Sequence, residues 1–444
     1  MILIGNGRLI TRDSRNSYYE DGAVAVEGSL IKEAGPYSKL RERYPEAEYI
    51  DAGGGLIMPG LINAHHHIYS AMARGLSIPG NPPQNFLEIL QGTWWNIDRH
   101  LTLENVFYSA LTTYMDCIKN GVTSVIDHHA GYGAVAGSLS EIARAAGILS
   151  VRTCLAYEIS DRDGKGRRNE ALKETMEFLA LVKEKDSPLL RGMVGLHASF
   201  TVSDETLALC KKENQNKAGY HIHAAEGAYD ESHCQATYGK SVVKRLAGQE
   251  ILGPDTIAAH CIHISEEDMG ILEATGTMVV HNPESNMGNG VGCPDTIRML
   301  KKGITVGLGT DGYTSDMLES LKVANILQKH RRGMPDLGFS EANRMLYENN
   351  AAIASRIFGR TIGVLEAGAP ADIIILDYEP YTPMNQENID GHIMFGINGA
   401  MTDTAMIHGR LVMRNRKLLT VEEAEIRKES RISARRLWDR LTGR

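Results

Sequence analysis

Leu56-Ile-Met-Pro-Gly-Leu-Ile-Asn-Ala64 runs directly into His65-His66-His67. A run of strand length, bounded by Gly53-Gly-Gly55, thus ends in three imidazoles. Residues i and i+2 of a strand point to the same side, so His65 and His67 share one face and His66 takes the other. Seven further apolar runs of similar length follow: 122–127, 148–156, 192–197, 220–224, 256–261, 276–281 and 304–309. Between most of them lie segments with helical spacing, such as 104–119, 170–185, 203–217, 241–246 and 266–274. Eight strand–helix alternations predict a parallel (β/α)8 barrel of the TIM type. An open doubly wound sheet is the alternative, but no Gly-x-Gly-x-x-Gly opens a first helix.

The two ends of the chain read differently. Short β-like pieces occur at 2–4, 23–26 and 30–34, and again at 372–376, 404–407 and 410–414. This predicts a small β-sandwich domain assembled from both termini. The expected organisation is residues 1–55 and 365–444 for that domain, including a helical tail over 421–441, around a barrel spanning 56–364. No repeat of 20–50 residues is evident.

A parallel barrel should carry its chemistry at the C-terminal ends of its strands. Run one ends in the His65 triplet and run two in Asp127-His128-His129. Run four ends in His197, and run five in His223 with Glu226 beyond it. Run six carries His260, run seven ends in His281-Asn282, and run eight leads to Asp311. Only the third run lacks a histidine or aspartate there. Neutral imidazoles with one carboxylate suit Zn²⁺ or Fe²⁺.

Composition narrows the function. The chain has 444 residues, 47 basic against 55 acidic, for a formal charge of −8. With no run of basic residues, nucleic acid and acidic membrane surfaces are poor partners; a small molecule is the expected one. No apolar stretch approaches a membrane span, and the N-terminus lacks the pattern of a secretion signal. Six scattered cysteines with no C-x-x-C pair point to reduced thiols and a cytoplasmic location. A barrel enzyme of this size is compatible with a homo-oligomer.

Pro59-Gly-Leu-Ile-Asn-Ala-His-His-His67, with Arg74-Gly75 after it, resembles the opening motif of the amidohydrolase superfamily. The likeness continues in order through His223-Ala-Ala-Glu226, Ala259-His-Cys261, His281-Asn-Pro-Glu-Ser-Asn286, Gly309-Thr-Asp311 and Gly368-Ala-Pro-Ala-Asp-Ile-Ile-Ile-Leu-Asp377. Within the superfamily the chain is similar to the mononuclear deaminase and chlorohydrolase branch, most of all to SsnA-type aminohydrolases. The resemblance implies one divalent ion held by His65, His67, His223 and Asp311. It implies catalytic roles for Glu226 and His260 and a substrate contact at His197. The binuclear branch uses a modified lysine near the end of strand four, where this chain has His197-Ala-Ser-Phe200.

That set suggests deamination of an amino-substituted N-heterocycle. Asp311 would ligate the ion and take a proton from water. Glu226 would protonate a ring nitrogen, and His260 would hold the attacking oxygen. Trp94, His281 and Asn286 are further candidate substrate contacts. Some alternatives stay open. His221 could replace His223 as ligand, although His-x-x-Glu favours His223. Trp94 and Trp95 could pack a helix or wall a pocket, and His66, His128 and His129 could reach the site. Cyclic-amide or carbon–halogen hydrolysis could use the same centre, and a metal-free scaffold is a remoter reading. Two departures bear on substrate. The Glu-x-Trp pair of thiomethyladenosine deaminases is absent from Phe86-Leu-Glu-Ile-Leu90. The Pro-Arg-Phe of guanine deaminases is absent from Gly195-Leu-His-Ala-Ser-Phe200. A purine or purine-like ring of another kind is the remaining expectation.

Overall fold

Gly60 divides the run expected as one opening strand. In the computed structural model, which describes all residues except Asn16, Pro79, Asn81, Asn216 and Arg444, Leu56–Pro59 and Leu61–His66 belong to different sheets. A Cβ at Gly60 would lie 2.3 Å from Thr123, so only glycine lets the chain pass between the sheets.

The first sheet begins with β1 (Ile2–Ile10), β2 (Tyr18–Glu27), β3 (Leu30–Pro36), β4 (Glu48–Asp51) and β5 (Leu56–Pro59). The barrel strands are β6 (Leu61–His66), β7 (Val122–His129), β8 (Arg152–Tyr157), β9 (Leu190–Ala198), β10 (Tyr220–Ala224), β11 (Ile257–His260), β12 (Met278–His281) and β13 (Val306–Leu308). The chain returns to the first sheet in β14 (Ile373–Leu376), β15 (Thr402–Ile407), β16 (Arg410–Arg414) and β17 (Lys417–Leu418). Among the described residues that sheet is mixed and nine-stranded, in the order β17-β16-β15-β14-β5-β1-β2-β3, with β4 parallel to β1. It draws on both termini, as expected. The barrel strands pair parallel in sequence order.

The barrel closes between its first and last strands. The Thr310 and Asp311 N–H groups each donate to the His65 carbonyl at 3.0 Å. Lower down, the buried Asn350 amide donates to the Ile62 and Leu308 carbonyls and accepts from Leu308 N–H. The closing seam is therefore also where two candidate ligands, His65 and Asp311, meet. Below the site the interior is filled by Ile62, Ala64, Ile126, Cys154, Ala156, Met193, Ile257, Met278 and Val280, with Ile353 and Phe358 from the helix Asn350–Phe358. These alternate along their strands with outward residues, as a packed barrel requires.

The third run differs from its reading. Ile148 and Leu149 end the helix Ser138–Leu149, and the strand starts at Arg152. The apolar end of an amphipathic helix and the first strand residues had merged into one run. Arg152, fully buried, crosses to the first sheet and pairs with Asp372 at 2.7 Å. The C-terminal helix Glu423–Thr442 packs on Leu103–Lys119, and Trp438 donates to the Met72 carbonyl at 2.8 Å. That contact braces the turn Ile68–Ala73, which follows His67.

Candidate active site

Four side chains from three parts of the barrel meet at its C-terminal mouth. His67 Nε2 lies 3.1 Å from His223 Nε2 and 3.1 Å from Asp311 Oδ1. His65 Nε2 lies 3.9 Å from the same oxygen. Nitrogens of His65, His67 and His223 all fall within 4.8 Å of one another, as do donor atoms of His65, His260 and Asp311. Two nitrogens bound tetrahedrally at about 2.1 Å sit roughly 3.4 Å apart, so these spacings suit one ion.

The outer nitrogens explain why the inner ones face each other. His67 Nδ1 meets the His128 carbonyl and His223 Nδ1 meets the His197 carbonyl, at 2.5 and 2.9 Å. A carbonyl only accepts, so both Nδ1 atoms carry protons and both Nε2 atoms present lone pairs. His65 Nδ1 lies 2.8 Å from His221 Nε2, and His260 Nδ1 lies 2.7 Å from Asn286 Oδ1. His65 Nε2 and His260 Nε2 are buried and accept no hydrogen bond. Lone pairs converging on a carboxylate with no donor between them fit a cation.

The backbone is strained at the same place. Ala225, His260, Cys261 and Asp311 have φ of +47°, +73°, +49° and +54°. Each such non-glycine residue costs on the order of 1–3 kcal/mol, a cost met mostly at functional positions. Gly309 allows the last turn to approach, since a Cβ there would sit 2.7 Å from the His65 carbonyl.

Burial alone would raise the Asp311 pKa, but His67, His260, His223 and the Ser285 hydroxyl reverse this and hold it well below the ordinary carboxylate range. Ser285 donates to Asp311 Oδ2 at 2.6 Å and Gly312 N–H to Oδ1 at 2.8 Å. Glu226 is opposite in behaviour: burial, then the charges of Asp311 and Asp230, hold its pKa well above the glutamate range. Its Oε2 stands 3.5 Å from His260 Nε2, which in turn is 3.8 Å from Asp311 Oδ2. One acid kept protonated beside one kept ionised is a common catalytic division of labour.

These groups face an inner chamber of about 100 Å³, walled by Tyr69, Trp94, Trp95, Phe86 and Leu90 and containing His67, His197, His223, Glu226 and Asp311. It opens at Phe86, His197, Glu226 and Asn289 into an outer chamber of about 740 Å³ that extends along Pro83–Leu90 and Met287–Val291. His197 and Trp94 line the inner chamber. His281 and Asn286 do not: Asn286 stands behind His260, and His281 behind Asn286 at 3.4 Å. His66 turns away from the cluster, its Nδ1 against the Asp311 carbonyl. His221 orients His65, and His128 lends its carbonyl to His67.

Sequence reasoning missed Ser285 and a group beyond the third strand. There Glu158 enters the inner chamber, and Arg162 bridges it to Asp98. Glu158 supplies the strand end that lacked a histidine or aspartate. Burial raises the pKa of Glu158 to about 8 and that of Asp98 to about 7, with Arg162 opposing in both.

A closed parallel barrel whose mouth gathers imidazoles and one carboxylate around a water-accessible cavity defines a metal-dependent hydrolase. The chain belongs to the amidohydrolase family, whose profile matches residues 56–412. It is thus a hydrolase of carbon–nitrogen bonds other than peptide bonds, served by one divalent ion. A shorter match, over residues 22–47, is to an imidazolonepropionase-like composite domain of bacteria. The chain is 30% identical to a 5-methylthioadenosine/S-adenosylhomocysteine deaminase of Pelotomaculum thermopropionicum, over 99% of both chains. It is 29% identical to a 5'-deoxyadenosine deaminase of Methanosarcina acetivorans, over 98% of both. In fold it resembles a zinc-bound adenosine deaminase from Xanthomonas campestris, with TM-score 0.87, 21% identity and 98% of each chain covered. Among the described residues no helix is long and apolar enough to cross a membrane.

Proposed function

We propose that the protein hydrolytically deaminates an amino-substituted N-heterocycle, with His65, His67, His223 and Asp311 as ligands of a single Zn²⁺ or Fe²⁺. The carrying observation is the convergence of the Nε2 lone pairs and Asp311 beside the buried Glu226, whose surroundings favour its protonated form. When bound, the ion lowers the pKa of water toward about 7 and supplies a nucleophile at neutral pH. Asp311 Oδ2, 3.8 Å from His260 Nε2, receives the proton of the attacking water. His260, fixed by Asn286 with its Nε2 lone pair turned inward, accepts a hydrogen bond from the attacking water and orients it. Glu226 delivers its proton to the ring nitrogen beside the attacked carbon. Asp311 then passes the proton it took to the amino nitrogen, the carbon–nitrogen bond breaks to release ammonia, and the proton on the added oxygen returns to Glu226 as the carbonyl forms. His197, whose Nδ1 is engaged by Thr201 at 2.6 Å, offers its other nitrogen to the ring. Trp94, Trp95 and Tyr69 form the apolar walls that a flat heterocycle needs.

The named activities of the relatives at 29–30% identity support deamination. Six free cysteines support a reducing, cytoplasmic compartment. The test is an ammonia-release screen over aminated purines, pteridines and pyrimidines with Zn²⁺ and Fe²⁺ in parallel. Ammonia released in proportion to bound metal supports the reading. Ring opening or halide release without ammonia overturns it.

A further inference from the structure

Glu158 follows β8 directly and is 3% exposed, yet its carboxyl faces the inner chamber. Oε1 accepts from Arg162 at 3.3 Å. Arg162 also pairs with Asp98 and lies against the faces of Tyr132 and Trp95, 4.5 and 5.1 Å from their centroids. The Tyr132 hydroxyl donates to the Glu158 carbonyl at 2.8 Å. Tyr132 thus fixes the Glu158 main chain and Arg162 its carboxyl, with one guanidinium serving two buried acids. Among the described residues its second oxygen, Oε2, accepts no hydrogen bond. Across from it stands His128 Nδ1 at 3.8 Å. His128 Nε2 faces the Leu196 and His221 carbonyls at 3.1 and 3.2 Å and so carries the ring proton, which makes Nδ1 an acceptor too. With Glu158 ionised these are two acceptors facing each other on the chamber wall with no donor between them, and burial, which raises its pKa to about 8, opposes that state. His128 Nδ1 is buried without a donor, and a ligand N–H placed between it and Glu158 Oε2 relieves that cost and favours the ionised carboxylate.

A second cation is a poor occupant. His128, Glu158 and His223 have donor atoms within 4.8 Å of one another. His223, however, has one lone pair, on Nε2, and it is turned toward His67 and the first ion's position, while Nδ1 donates to His197. Two remaining donors do not make a closed site. An N–H of the substrate does fit.

We propose that Glu158 is a specificity-determining residue that accepts a hydrogen bond from a substrate N–H other than the amino group that leaves, with Arg162 and Asp98 positioning its carboxyl. This rests on the deaminase reading above and narrows its substrate class. The ring carries a lactam-type N–H or a second amino group besides the amidine that is hydrolysed. Adenine nucleosides have no such donor on the base, because N1, N3 and N7 all accept. A 2-amino-4-oxo ring has one at the ring nitrogen.

The experiment measures kcat/KM by ammonia release from isocytosine, guanine and pterin, from their ring N-methyl derivatives, and from adenosine. It uses the metal-loaded wild type, Glu158→Gln and Glu158→Ala, with metal content and circular dichroism checked for each. The wild type should prefer the N–H compound of each active pair by roughly ten- to a hundredfold, the range of a hydrogen bond to a charged group. Glu158→Ala should abolish that preference through KM, and Glu158→Gln, whose amide oxygen still accepts, should restore part of it. Ammonia release with the same N–H preference in Glu158→Ala overturns the assignment and leaves the deaminase reading standing. A wild type that favours adenosine over every N–H compound also overturns the assignment alone. Absence of ammonia from every compound removes both.

Discussion

Replacing Glu226 by Gln separates proton transfer from everything else the site does. The amide has nearly the same shape and can still hydrogen-bond, but it cannot give up a proton as an acid. Glu226 is 8% exposed and 3.5 Å from His260, and the environment that keeps it protonated is burial reinforced by Asp311 and Asp230. Positioned proton transfer contributes about 10²–10⁴ in rate. Glu226→Gln should therefore lower kcat by about 10²- to 10⁴-fold, or roughly 2.7–5.4 kcal/mol of activation free energy. Glu226 is not among the proposed ligands, so metal content should stay at the wild-type level. The pH dependence has a definite sign. A glutamate with a raised pKa is active below that pKa, so wild-type activity falls as pH rises through it, and the variant should lose that alkaline limb. The same shift bears on stability of the metal-free protein. The native state keeps a proton that the unfolded chain has released, so the wild type loses stability as pH rises from the unfolded pKa toward the folded one. Glu226→Gln should not show this loss, and should be the more stable form at neutral pH. The assays are steady-state ammonia release, metal analysis and urea unfolding across pH. Turnover within threefold of wild type, at unchanged metal content, refutes the role; loss of metal in step with activity would make Glu226 a ligand instead.

Ser285→Ala removes the 2.6 Å hydrogen bond to Asp311 Oδ2 and should weaken metal affinity or activity by about 10–100-fold in a chelator competition assay. Asp372→Ala leaves Arg152 charged and fully buried between the two sheets, and should cost about 3–5 kcal/mol in urea unfolding, far from the active site.

The sequence exposed what is local and periodic. The His65–His67 alternation, the barrel repeat and the polar strand ends could be read because each depends on spacing within a few residues. The tyrosine-to-alanine strand 220–224 was located to the residue. Two kinds of feature were hidden. Gly60 splits the first run because of a neighbour, Thr123, that only the folded chain brings near. Asp98, Glu158 and Arg162 are separated by up to 64 residues and form one network only in space, so no motif announced them. One clue was available: a barrel with seven polar strand ends invites a search for the eighth. His281 and Asn286 were read as substrate contacts from their place at a strand end. The short helix Pro283–Gly288 instead directs Asn286 back onto His260. His221 illustrates the limit of the i, i+2 rule. It shares a face with His223, but it sits one layer deeper and contacts His65 through the far nitrogen.

The account turns on one ion shared by residues far apart in the chain. Anomalous diffraction at the zinc and iron edges from crystals of the metal-loaded protein tests it directly. The expected result is a single peak per chain within about 2.0–2.2 Å of His65, His67 and His223 Nε2 and of an Asp311 carboxylate oxygen. A peak bound elsewhere, or two peaks sharing these ligands, would contradict it.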